Sequence, residues 1–266
     1  MVILKERKSS IIHTYFTKEK AGMETTSVRR APEQLESGPD LSWRELYRVG
    51  GISAFLYIVL LIIPVVLIFT TRQPPSSDGA AILQYIASNK GIYITELVLF
   101  LAPSVLAMVV FLALYMALKH LNKSLAAIGA LIAIASQAIG LAYNSSPQSL
   151  NGALIILSNQ YMEATTAIQK AAYAAAAESL VAMANAVSAS GILFSIGILV
   201  ISLAMLRGVF NRGVAYLGVA TGTIAVFSEI FRPVIGAGYI VFFILEVIWF
   251  IAVGWKLFRL GGKAEV

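Results

Sequence analysis

The sequence has no cysteine and only two histidines, His13 and His120. The first absence excludes disulfides, thiolate metal sites and cysteine nucleophiles, and says nothing about compartment. The second excludes a multi-histidine metal site inside the apolar segments, and a Ser–His pair there. No Gly-rich phosphate loop is present, so no nucleotide-driven pump is encoded in this chain. Charge is scarce as well. Asp, Glu, Lys and Arg make up 13% of the 266 residues, about half the share in soluble domains.

What is abundant is apolar. Hydrophobic residues make up 58% of the chain, and the mean hydropathy is +0.80. They cluster in runs of about 20 residues, the length that crosses ~30 Å of hydrocarbon as a helix. Barrel strands would alternate over ~10 residues, and these runs do not. The expected fold is therefore all-α: a polytopic membrane protein with a six-transmembrane-helix bundle. The formal charge of +6 is read as a topology signal, not as a nucleic-acid footprint.

Residues 1–42 are polar and charged, and are expected to form a mostly disordered arm. No apolar run follows the early basic residues, so the arm is not a secretory signal. Met23 opens a second plausible start. Residues 43–262 form the membrane domain. Ser42 and Glu45 have capping-box spacing. Spans are expected at about Val49–Thr70, Gly91–Leu118, Leu125–Tyr143, Val187–Leu206, Val214–Ile235 and Gly236–Phe258, with a kink at Pro64. Between spans three and four, Leu150–Ala186 is Ala-rich and mixes polar with apolar residues. One or two amphipathic helices are expected there, on the outer side.

Lys and Arg set the orientation. The arm, the turns with Lys119, Lys123, Arg207 and Arg212, and the end with Lys256, Arg259 and Lys263 fall on one side. Only Arg72, Lys90, Lys170 and Arg232 fall on the other. The positive-inside rule then places both termini in the cytoplasm, with the cell membrane as location.

The turns "LNKSLAAIG" (Leu121–Gly129) and "FNRGVAYLG" (Phe210–Gly218) align without gaps. Either they mark a parallel two-helix repeat, or similar turn and packing needs converged. The segments "LYRVGGISAFLYIVLLI", "FNRGVAYLGVATG" and "VIWFIAVGWKLFRL" resemble a prokaryotic family of six-helix integral membrane proteins, catalogued as a domain of unknown function. The resemblance covers about Arg44–Leu260. It implies the six-helix fold and supplies no activity, cofactor or catalytic residue.

The costly residues are the informative ones. An ionisable group at mid-membrane costs ~2.5–3.5 kcal/mol on the insertion scale. At about 1.5 Å per residue, Glu246 lies near the midplane, and Gln137, Glu229, Arg232 and Glu96 lie in the outer half. Glu229 and Arg232 are three apart, so they share a helix face and can pair. Pro233 could instead end the span and leave Arg232 snorkelling at the headgroups. Two readings remain. The charges organise the bundle of a structural, accessory or binding protein. Alternatively, they line an outward-facing polar site of a small transporter or lipid- or small-molecule-binding protein. A site needs a cavity between the spans, whereas structural pairing needs closed contacts. An enzyme is not expected, because "SASG" (Ser188–Gly191) has no identifiable base and Glu229 and Glu246 lack catalytic companions. No cofactor is expected. The small-residue pairs of "GVATG" (Gly218–Gly222) and "SQAIG" (Ser136–Gly140) read as helix-packing faces, with dimerisation the alternative; the partners are the lipid bilayer and a membrane protein or a second copy.

Overall fold

The computed structural model describes residues 38–70, 78–144, 150–185, 189–208, 210–235 and 238–262. Most of the arm, with Met23, lies outside these residues, as does Ser188. The side chains of Pro64, Glu96, Tyr143 and Pro233 also lie outside the description. Among the described residues every regular element is helical. They are α1 (Arg44–Thr70), α2 (Gly79–Ser88), α3 (Lys90–Leu118), α4 (Lys123–Asn144), α5 (Leu150–Glu163), α6 (Ala167–Asn185), α7 (Ala189–Met205), α8 (Arg212–Ile230), α9 (Arg232–Ile235) and α10 (Tyr239–Gly262).

Five helical segments are long and apolar enough to cross a membrane: Leu41–Ile63, Lys90–Leu118, Lys123–Ala142, Arg212–Ile230 and Tyr239–Gly262. The segment expected as the fourth span is α7, which is apolar but only 17 residues long. The fifth expected span is also shorter than read. α8 stops at Ile230, Phe231 caps it, and α9 continues as a separate turn containing Pro233.

Six helices close on one another. α1 packs on α3, α3 on α4, α4 on α7, α7 on α8, α8 on α10, and α10 back on α1. One large core fills this ring, including Tyr47, Phe111, Phe194, Ile198, Met205, Trp249, Phe250 and Leu257. Lipid is as apolar as leucine, so helices here associate through close packing more than through hydrophobic burial. Glycine permits that approach. A Cβ on Gly197 of α7 would strike the Ala133 backbone of α4, and one on Gly222 would strike the Leu199 backbone of α7. The GVATG pair is thus spent inside the ring, because Gly218 faces Ser202 and Trp249.

The remaining helices form a second small core. α2, α5 and α6 pack mutually around Ile82, Leu83, Ile86, Leu154, Tyr161 and Ala177. Ser158 donates to the Leu83 carbonyl at 2.7 Å, and the Gly79 amide donates to Glu178 at 3.0 Å. The mixed segment after span three therefore consists of two helices, and a third, α2, joins them from before α3. Asp78 caps α2 by accepting from the Ala80 and Ala81 amides.

The chain entry differs from the capping-box expectation. Asp40, not Ser42, caps the 3₁₀ turn Leu41–Trp43 that leads into α1. Its carboxylate accepts from both the amide and the hydroxyl of Ser42, and those bonds hold it below the usual carboxylate range. A carboxylate is the stronger acceptor and takes both donors, so the cap moves back two residues.

Candidate functional site

Glu246 sits two turns into α10, on the face that meets α1, and is 5% exposed. Its Oε1 accepts a 2.6 Å hydrogen bond from the Tyr57 hydroxyl of α1. The Tyr57 ring stacks on Phe250, one helical turn after Glu246, with centroids 4.2 Å apart. Stacking fixes the ring, and the fixed ring aims the hydroxyl. Phe250 also contacts Phe111, Phe194 and Trp249, which extends the aromatic cluster across the ring interior.

Glu229 occupies the last turn of α8 and is 2% exposed. Its Oε1 accepts from the Tyr239 hydroxyl at 2.5 Å, and its Oε2 lies 3.4 Å from Arg232 Nε. Arg232 donates to the Tyr239 hydroxyl at 3.2 Å and stacks on that ring at 5.0 Å. The break at Phe231 and the separate turn α9 place Arg232 back over Glu229. The carboxylate needs room beside α7, and Gly191 gives it, since a Cβ there would overlap the Glu229 carboxylate. Arg232 is thus committed inward to Glu229 and Tyr239 rather than snorkelling free.

Glu229 Oε2 has no hydrogen-bond donor despite its burial. At 3.4 Å Arg232 supplies charge to it, but not an aligned N–H. A buried oxygen without a donor is costly unless something further supplies one.

These groups surround one cavity of about 230 Å³. It is lined by Tyr57, Ser104, Ser136, Gln137, Gly140, Ser190, Gly191, Phe194, Glu229, Arg232, Tyr239, Phe242 and Glu246. Every ring helix contributes. Four of the five polar residues singled out in the sequence, Gln137, Glu229, Arg232 and Glu246, meet there. Glu96 is on α3, and its side chain lies outside the described residues. Ser136 donates to the Ser190 carbonyl at 2.7 Å, so the SQAIG segment ties α4 to α7.

The tyrosines Tyr57 and Tyr239 are the residues the sequence reading did not assign to the cluster. Tyr57 is separated from Glu246 by 189 positions, and only ring closure of α1 on α10 brings them together. Tyr239 lies across the α8–α10 seam from Glu229. Its spacing of ten from Glu229, across a proline break, was the available signal. No group of three or more His, Cys, Asp or Glu able to hold a metal occurs among the described residues.

Residues 49–261 match the family model for a domain of unknown function, DUF4386. The chain belongs to that family. The match spans all six ring helices and the α2–α5–α6 unit, so the cavity lies wholly inside the family domain. No curated protein and no solved structure matches the chain. The family's function is unknown, and what the cavity does has to be argued from its own groups.

Proposed function

We propose that this is a multi-pass protein of the cell membrane with six spans and both termini cytoplasmic. On this reading it is a structural, accessory or binding protein whose intramembrane charges organise the bundle, and it has no catalytic role. The observation that carries the reading is the pairing of each buried carboxylate with a tyrosine on another helical segment. Glu246 on α10 is held by Tyr57 on α1, and Glu229 on α8 is held by Tyr239 on α10. Each bond crosses a helix–helix seam of the ring. In a low-dielectric interior such bonds fix register and rotation, because slipping by one residue would leave a carboxylate without its donor.

Counting α7 as the sixth span is supported by its place in the ring, between α4 and α8. Its 17 residues reach about 26 Å at the helical rise, near the lower limit for a span. The Lys/Arg imbalance puts α2, α5 and α6, and the cavity with them, on the outer side. The arm, expected over residues 1–42, is then a cytoplasmic segment dispensable up to residue 37, because Asp40 caps the entry to α1. The partners on this reading are lipid and a membrane protein or second copy.

Cysteine labelling tests the topology. Single cysteines at Ser76 and Ser149 should react with an impermeant thiol reagent on intact cells, and one at Ser37 should not. The reverse pattern would overturn the orientation. Deleting residues 1–37 should leave the melting temperature in detergent within a few degrees of the parent.

A further inference from the structure

The cavity is larger than structural pairing requires. Two carboxylates tied to tyrosines and an arginine could close on one another, yet about 230 Å³ remains open among them. Glu229 lines this cavity, and its buried Oε2 has no hydrogen-bond donor. The formal charges are two carboxylates against the single guanidinium of Arg232, which is already engaged with Glu229 and Tyr239.

We propose that the cavity is a binding site for a small organic monocation, a protonated primary amine bearing a short apolar tail. The proposal deepens the binding role inferred above and rests on the same open cavity. The chemistry matches group by group. An ammonium supplies three N–H donors, and the site offers acceptors in Glu229, Glu246 and the Gln137 side-chain amide. Its charge balances the excess carboxylate, or replaces a proton held by the pair, so the loaded site stays near neutrality. An anion would face two carboxylates and find its one cation occupied.

The aromatic lining suits the tail. Phe194 and Phe242 border the cavity, and Phe194 belongs to the aromatic cluster with Phe111 and Phe250. These rings offer an apolar wall and π-faces near a cation. A bare metal ion fits less well. A hard divalent cation needs about six to eight oxygens, and no group of three acidic or imidazole ligands is present among the described residues. The volume also exceeds that of a dehydrated alkali ion many times over, and it leaves room for a small organic ligand.

Thermal unfolding of the purified full chain, titrated with n-propylammonium chloride, tests this. Sodium chloride at equal ionic strength and 1-propanol are the controls. The expected result is a saturable rise in melting temperature with the amine alone. Glu246→Gln removes the charge and should weaken the apparent affinity at least about tenfold. Gly140→Leu supplies an independent test, because Gly140 lines the cavity and an added Cβ meets no atom within 4 Å. It should keep the parent melting temperature without amine and lose the amine response. No saturable rise would mean a water-filled cavity, and an undiminished response in Gly140→Leu would mean the amine binds elsewhere; either overturns the proposal.

Accessibility separates this proposal from the topology it rests on. Ser104→Cys should react from the outside with a cationic methanethiosulfonate, and propylammonium should slow that reaction. Labelling without protection overturns the amine site and leaves the orientation standing. Protection from the inside only overturns the orientation and leaves the amine site standing.

Discussion

The two ends of the ring interior handle buried polar groups differently. At the cavity end, Glu229 and Glu246 each have a tyrosine donor, and open volume lies beside them. At the other end, Ser202 Oγ and Trp249 Nε1 are buried with no hydrogen-bond partner, pressed around Gly218. A neutral hydroxyl or indole left alone costs on the order of 1–3 kcal/mol, and a lone buried carboxylate costs more. The difference teaches where evolution had to build partners. The charged end keeps open volume beside its one orphan, Glu229 Oε2, whereas the neutral end leaves Ser202 and Trp249 as orphans in exchange for close packing.

Substitution of glycine should break the contrast most sharply. Gly197→Val drives a side chain into the Ala133 backbone where α7 packs closely on α4. It should destabilise by about 3 kcal/mol, while Gly140→Leu at the cavity end should cost almost nothing. Equal costs in thermal unfolding would mean the two places are packed alike.

Loss of a carboxylate should come next. Glu246→Ala orphans the Tyr57 hydroxyl and should cost about 2 kcal/mol. Glu246→Gln should keep most of the stability, because the amide oxygen still accepts that bond. A Gln variant as unstable as Ala would show that charge, not hydrogen bonding, holds the seam.

The closed end should respond in the opposite sense. Ser202→Ala removes a buried oxygen without a partner and should raise stability by about 1 kcal/mol. A fall in melting temperature would reveal a partner for that hydroxyl.

The smallest expected effect lies outside the ring interior. His120, in the turn between α3 and α4, has both ring nitrogens buried without a partner. Burial, and then Lys119 beside it, pushes its pKa below the ordinary 6.5. The folded state therefore favours the neutral ring. Its contribution is complete above pH 6.5 and is lost as pH falls toward the lowered value. His120→Leu should shrink the drop in melting temperature between about pH 7.5 and pH 5.5.

Much of this was legible from local pattern. The apolar runs located α1, α3, α4, α7, α8 and α10 within a few residues, because span length and composition are properties of one segment. Glu229 and Arg232 were readable as a pair from their spacing of three, although the break at Phe231 puts them on successive helical segments, α8 and α9. The shared asparagine of the two similar turns has a local cause as well: Asn122 accepts from the Leu125 amide and Asn211 from the Gly213 amide, so each caps the helix that follows. That capping accounts for one matched position under either reading of the repeat.

What was not legible depends on partners far along the chain. Tyr57 carries no mark of Glu246. Gly218 and Gly222 read as a helix-packing pair, but nothing local names their partners: α7 for both, and Trp249 of α10 for Gly218. α2 was passed over because ten residues are too few for a span and follow a run of turn residues. Ile82, Leu83 and Ile86 gave its apolar face, but α5 and α6 pack on α2 from far along the chain, with contacts 75 and 99 positions apart.

The central claim is that the Tyr57–Glu246 bond is a working contact between α1 and α10. Its most direct test is a double-mutant cycle of Tyr57→Phe and Glu246→Ala, read by thermal unfolding in detergent. A coupling energy of about 1 kcal/mol or more is predicted. Additive effects, with coupling near zero, would contradict it.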